Sequence, residues 1–395
     1  MPRHTKSFWE YAADWSRRKH LILRYYLTPA APKLGTQGTG RRVYVIDGFA
    51  GRGLYSDNTK GSPLLLAELA EECRRWRSPV ELIIHNAEPD ADNFAALQDS
   101  TSHWSGLGYV KNHQITFQEL LPGVLRQAGS SPVFAFLDPF RPSDLTFQDV
   151  VPLIQRSAAT EVLIVFHTPL VIRLLEAVRP TARTPDKSKA KLAALLDRVF
   201  GGSSWEGLMT SDQIDPATVA TCLSNQVRAQ SRWNTFYVCP HAIDARYNVG
   251  LKYHVILLTR HSDGVELMND AFCKEALEVY SQSTRQSNGQ LELGIEVDTP
   301  AGQPVVELTM LQRHRDLCAS LMAIGRKHAG RIWKRGDLIC ESIVNRFGDF
   351  TKTEHRQAIQ SLVDIVGDPP LTPLDGRKSK KGKWVINDST RLQFR

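Results

Sequence analysis

The sequence predicts an α/β protein: a parallel sheet covered by helices on both faces, followed by a small helical module that ends in a hairpin. Three observations predict it. Short β-branched runs alternate with helix-period segments over the first two-thirds of the chain, the pattern that builds βαβ units. A glycine-rich turn, Asp47-Gly48-Phe49-Ala50-Gly51-Arg52-Gly53, follows directly on the first of those runs. Basic residues also gather at one end. From Met310 to Arg395, 17 Lys and Arg stand against 9 Asp and Glu, while the whole chain carries a net charge of +7. The rest of the chain is therefore close to neutral, and the excess is the footprint expected for polyanion contact.

Each element follows from local chemistry. Residues Ser7–Leu27 set Phe8, Trp9, Tyr11, Ala12, Trp15, Leu21, Leu23 and Tyr26 among basic residues, which predicts an amphipathic helix. The Pro- and Gly-rich stretch Thr28–Gly40 predicts a connector, so 1–40 reads as an N-terminal segment. Arg42–Ile46 is the first strand. Ser62-Pro63 pairs an N-cap with a first-turn proline and opens a helix to about Trp76. Val80–His85 is the second strand and leads to Glu88; Asp90–Gln98 has helical spacing, and Gln114–Phe117 predicts a third strand. Val133–Leu137 stops at Asp138-Pro139-Phe140, and Glu161–Phe166 follows a helix near Leu145–Gln155. The basic stretch Arg179–Lys191 predicts an exposed segment, within an insertion near 179–232. Asn234–Val238 and Lys252–Thr259 predict an antiparallel pair at the sheet edge. The sheet domain spans 41–283, and a Ser/Gln/Gly-rich linker fills 284–307.

Residues 308–395 read as a separate winged helix: helix Leu308–Ala329, brief strand Ile332–Trp333, helix Asp337–Asn345, then a capped helix and a hairpin. Thr351 and Glu354 form a capping box ahead of an apolar stripe, Ile359, Leu362, Val363 and Val366. The other face of that helix offers Lys352, His355, Arg356 and Gln360 to phosphates or bases. Leu371–Leu374 and Trp384–Ile386 flank a basic tip carrying Arg377, Lys378, Lys380, Lys381 and Lys383. Nucleic acid is the partner this predicts; a protein-docking winged helix with a solvated wing is the alternative.

The composition, 42% hydrophobic and 23% charged, excludes a disordered or fibrous chain. No run of about 18 apolar residues predicts a membrane span, and Met1–Arg18 has no apolar core to act as a secretory signal. The six cysteines are scattered without a C-x-x-C pair, so neither disulfides nor a metal site are expected and the cytoplasm is the expected setting. No G-x-x-x-x-G-K-[ST] run occurs, which excludes a P-loop nucleotidase.

The glycine turn lets a ligand approach the backbone at the carboxyl end of a central strand. Glu88, at the end of the second strand, is suited to accept from two ribose hydroxyls. It lies 41 residues past Asp47, where a compact dinucleotide fold has roughly 20; the loop Leu54–Lys60 takes up part of the difference. The D-x-F-x-G-x-G run resembles motif I of S-adenosylmethionine-dependent methyltransferases, and Asp138-Pro139-Phe140 resembles their motif IV. Four patches together are similar to the three-Cys-motif partner protein (TcmP) family: Trp15-x3-Lys19-x3-Leu23-x2-Tyr26-Leu27, Tyr44 through Gly53, Gly61-Ser62-Pro63, and Phe136 through Phe140. Arg141 departs from that pattern, which more often has Gly after D-P-F.

The resemblance implies a Rossmann-like methyltransferase fold, S-adenosylmethionine as cofactor, and association with a separate radical-SAM-like protein bearing three clustered cysteines. It also implies roles. Asp47 would orient the turn and reach the methionine moiety; Gly48, Phe49, Ala50, Gly51 and Gly53 would shape its bed. Glu88 would hold the ribose, and Gln118 or Glu119 would receive the adenine amino group. Asp138 would meet the methyl acceptor, with Phe140 stacking on it. The acceptor stays open between amine and other classes, but transfer to cytosine C5 is excluded because no Pro-Cys pair supplies the nucleophile. A partner protein with this fold and no methyl transfer, or a ligand-sensing regulator, is the competing class.

Overall fold

In the computed structural model the described residues are 14–233, 237–244, 251–286, 305–365, 367–379 and 382–395. Phe8, Trp9, Tyr11, Ala12, Asn234, Val366, Lys380, Lys381 and most of the expected linker lie outside them.

The first described elements are Asp14–Gly35 (α1), Arg42–Asp47 (β1), Ser62–Arg75 (α2) and Glu81–Ala87 (β2). Ala91–Ser100 (α3), Ser102–Gly106 (α4), Val110–His113 (β3), Phe117–Ala128 (α5) and Val133–Leu137 (β4) follow. Next come Phe147–Ile154 (α6), Thr160–Phe166 (β5), Thr168–Val178 (α7), Asp186–Phe200 (α8), Pro216–Gln230 (α9), Tyr237–Asp244 (β6) and Leu251–Thr259 (β7). These strands form one sheet in the order β3-β2-β1-β4-β5-β7-β6. From β3 to β5 every pairing is parallel, while β7 runs antiparallel to both β5 and β6. Val45 of β1 lies between Ile84 and Phe134. All seven residues of β5 and all five of β4 are buried, as strands covered on both faces require. Because the chain leaves β1 toward β2 on one side and returns to β4 on the other, the carboxyl ends of these strands open a crevice.

Three expectations on elements are corrected. α1 continues through Pro29 and Pro32 to Gly35, so most of the connector expected from Thr28 is helical. Tyr26, Leu27, Ala30, Ala31 and Leu34 are all buried, and the Tyr26 hydroxyl donates to the buried Glu161 carboxylate. That burial outweighs the local penalty of two prolines. The third strand is Val110–His113, not Gln114–Phe117, because Thr116 and Glu119 form a capping box that starts α5. Arg179–Lys191 holds no buried residue, as expected, but the rest of the stretch, 192–232, packs into the sheet's core. α8, α9 and the turn between them bury Leu196, Phe200, Trp205, Leu223 and Val227 in the same core as β4 and β5. The antiparallel pair stands at the sheet edge as expected, with β6 outermost.

The chain divides into two compact units at Gly264, ahead of the expected boundary at 283. The second comprises most of Ser262–Gln286 (α10), then Val305–Lys327 (α11), Ile332–Lys334 (β8), Arg335–Asn345 (α12) and Lys352–Val363 (α13). Leu371–Pro373 (β9), Arg377–Lys378 (β10), Trp384–Val385 (β11) and Arg391–Phe394 (β12) complete it. β8, β12 and β9 form a three-stranded antiparallel sheet, and β10 pairs with β11. α10 belongs here by its contacts: Asn269 Nδ2 donates to Phe350 O at 2.7 Å, and Lys352 N donates to the Asp270 carboxylate at 2.8 Å. Among the described residues no helix is long and apolar enough to cross a membrane, and all six cysteines are free thiols.

Candidate functional site

The turn after β1 is stitched to its neighbours. Gly48 N donates to Phe136 O at the end of β4, and Ala50 N donates to Ala87 O at the end of β2, both at 3.0 Å. A side chain at Gly48 would stand 2.8 Å from Leu137 Cδ2 and 3.0 Å from Phe117 Cδ2. Gly53 takes φ +77°, in the left-handed region that favours glycine. Gly61 N donates to Gly53 O at 2.7 Å and closes the loop 54–60 at its base. Beneath the turn Asp47 is fully buried. Phe49 N donates to its Oδ1 at 3.4 Å, and Oδ2 has no hydrogen-bond partner among the described residues. Burial pushes the Asp47 carboxyl up to about 7. A buried oxygen left bare at the foot of a glycine turn is a group that a ligand's donor would satisfy.

A cleft of about 630 Å³ opens beside the turn, within the range of small-molecule sites. Gly48, Phe49, Glu88, Gln118 and Phe140 line it together. Glu88 is only 4% exposed; Asp90 N donates to its Oε1 at 2.9 Å, and burial raises its pKa. Asp90 itself caps α3, holding the backbone that fixes Glu88. Gln118 sits in the first turn of α5, and its Nε2 donates to Asp144 O at 2.8 Å and Asp149 Oδ2 at 3.0 Å. The lining carries four carboxylates, Glu88, Asp90, Asp144 and Asp149, against Arg141 and Arg198. Such a cleft favours a cationic ligand over a polyphosphate.

Ala50, Gly51, Gly53 and Asp138 face a second, smaller cavity on the far side of the turn, which shares Phe49 and Phe140 with the cleft. Glu119 is excluded from both. It is solvent-exposed, and its carboxylate accepts from Thr116 N and Oγ1 at 2.8 Å, so it caps a helix and is not available to an adenine. Sequence reasoning gave no role to Lys19, although the residue stands in one of the matching patches. Its ammonium pairs with the Asp138 carboxylate, and the two side chains are only 13% and 15% exposed. His20 beside it is buried, and desolvation lowers its pKa to about 3, so it stays neutral. Asn93 and Asp144 were also missed; nothing in their local spacing marks them, because the fold brings them to the cleft.

In the C-terminal unit, His355 is corrected to a core residue. It is fully buried, its Nδ1 lies 2.9 Å from Thr351 O, and burial lowers its pKa. With Ala358, Ile359 and Leu362 it continues the i, i+3, i+4, i+7 stripe one turn earlier. Lys352 pairs with Glu266 and approaches Asp388 at 3.8 Å; Arg356 donates to Asp388 at 2.6 Å, and Gln360 Nε2 donates to Trp384 O at 3.1 Å. These side chains hold the unit together. Arg377, Lys378 and Lys383 are exposed, with the Lys378 ammonium 5.3 Å from the Trp384 ring centre.

No protein-family model and no curated protein matches the chain. Solved structures are similar at low identity. A Legionella pneumophila protein is 11% identical over 68% of this chain and 91% of its own, with TM-score 0.35. The Streptomyces achromogenes O-methyltransferase TomG, solved with SAM, is 14% identical over 65% and 94%, with TM-score 0.29. The Methanococcus jannaschii pre-rRNA processing protein fibrillarin is 10% identical over 60% and 75%, with TM-score 0.30. The fold class rests on the strand order itself. A parallel sheet with one reversed strand beside its edge, and a cleft at the carboxyl ends of β1 and β2, defines a Rossmann-like α/β fold.

Proposed function

We propose that the chain is an S-adenosylmethionine-dependent methyltransferase acting on nucleic acid, working with a three-Cys-motif partner as its sequence resemblance implies. The observation that carries this reading is Glu88, a buried carboxylate at the end of β2 that faces the same cleft as the Gly48–Gly53 turn. That position suits a ribose diol. The acid-rich lining suits a sulfonium nucleoside and opposes the pyrophosphate of a dinucleotide. When bound, the cofactor supplies an electrophilic methyl group. The protein's part is then to position and deprotonate: Glu88 holds the sugar, Gln118 borders the base, and Asp138 at the end of β4 takes a proton from the acceptor beside Phe140. The C-terminal unit reads as a winged helix whose wing, with Arg377, Lys378 and Lys383, meets phosphates; Lys380 and Lys381 extend that basic run in the sequence.

A second reading, a partner protein that transfers nothing, draws on one observation: the Asp138 carboxylate is already neutralised by Lys19. Titration calorimetry with S-adenosylmethionine, NAD and ATP tests the cofactor. Radiolabelled methyl transfer to DNA, RNA and protein pools then tests the acceptor. Tighter binding of NAD than of S-adenosylmethionine would reject the methyltransferase reading, and binding without transfer to any pool would favour the second. Asp138→Ala should abolish transfer with little change in cofactor affinity.

A further inference from the structure

We propose that Lys19 recognises the carboxylate at the amino-acid end of the bound nucleoside, and that it is drawn off Asp138 in doing so. The inference rests on the cofactor reading above and assigns a residue that the sequence left without a role. The small cavity behind the glycine turn is lined by Lys19, Gly51, Gly53, Ser62 and Asp138, and it meets the large cleft at Phe49 and Phe140. A ligand with its sugar on Glu88 that passes those two rings therefore ends against Lys19. Lys19 supplies a cation there, and Asp47, which lines neither cavity but whose buried carboxyl feels the charges of Lys19 and Asp138, keeps one oxygen bare. A cation and a bare carboxyl oxygen are complementary to the carboxylate and ammonium of an α-amino acid.

Size decides whether the resting pair must open. The cavity measures about 30 Å³, room for a water or two but not for an amino acid. Entry of the ligand therefore requires the Lys19 side chain to swing aside, which its four-carbon stem allows. An anchoring role for the pair is the weaker explanation. α1 is already fixed by its buried face and by Tyr26 donating to Glu161, and a nearly buried ion pair adds little net stability over apolar packing. Exchange also leaves no charge stranded: Lys19 gains the ligand carboxylate as Asp138 gains the acceptor. Cofactor binding would thus release the proton-accepting carboxylate.

The test compares S-adenosylhomocysteine with 5′-methylthioadenosine, two neutral thioethers that differ by the amino-acid end, using calorimetry on the full chain. The wild type is expected to prefer S-adenosylhomocysteine by at least about tenfold, the scale of one charge-assisted contact. Lys19→Met should erase that preference with methylthioadenosine affinity unchanged, and Lys19→Arg should retain most of it. A wild type that binds both ligands equally, a Lys19→Met protein that keeps the preference, or one that loses both ligands alike while Lys19→Arg does the same, would overturn the proposal. If the wild type binds neither, the cofactor reading falls first.

Discussion

Replacing Glu88 by Gln separates a ligand-binding carboxylate from a structural one. The side chain is 4% exposed and its pKa is raised, with burial as the leading cause. An acid whose folded pKa lies above its unfolded value costs stability once the pH rises through that folded value. Glu88→Gln removes the cost at neutral pH while keeping the shape and an acceptor for Asp90 N. The apo protein should therefore melt at or slightly above the wild-type temperature. Ligand affinity should move the other way. Hydrogen bonds to a charged group contribute about 1.5–3 kcal/mol, so S-adenosylmethionine should bind about 10- to 100-fold more weakly. Calorimetry and thermal melting on the same preparation give both signs. A variant that loses melting temperature while binding the ligand as the wild type does would refute the assignment.

Three further outcomes follow. Asp47→Asn should be more stable than the wild type above pH 7, and the gap should close as the pH falls toward 4. The raised carboxyl, about 7 against 3.8, sets a ceiling of about 4 kcal/mol, read by melting across that range. Gly53→Ala should destabilise by about 1–3 kcal/mol and weaken ligand binding, because φ is +77° and the added carbon would stand 2.4 Å from Ser100 Oγ. Gly108→Ala, with φ +75° and open space, isolates the backbone cost in the same melting assay. Lys378→Ala with Lys383→Ala should lower the slope of log affinity against log salt by about 2 in nucleic-acid titrations, whereas His355→Ala should lower the melting temperature and leave the slope alone.

The sheet was legible wherever burial is dictated by the strand itself. Val43–Ile46 and Val133–Leu137 are apolar on both faces, so their place at the centre and the carboxylates that follow them could be read directly. Glu88 and the glycine turn followed from the same logic. What escaped depends on distant contacts. Nothing within Thr28–Gly40 announces that Ala30, Ala31 and Leu34 are buried. The cover formed by α8 and α9 was hidden by the basic residues that precede it. Glu119 carries a readable signal for its capping role, since Thr116-x-x-Glu119 is a capping box. His355 was read as polar although it stands at the head of an apolar stripe. The Lys19–Asp138 pair joins positions 119 residues apart, and only the folded chain brings them together.

The reversed strand β7 has a consequence for synthesis. Since β5 hydrogen-bonds to β7 and not to the earlier-made β6, the apolar run Val162–Phe166 keeps one bare flank until Leu251–Thr259 has left the ribosome. At elongation rates of about 5–20 residues per second that window lasts several seconds. A nascent chain halted before residue 251 would present a sticky, aggregation-prone border, so holdase capture during translation should concentrate on this interval.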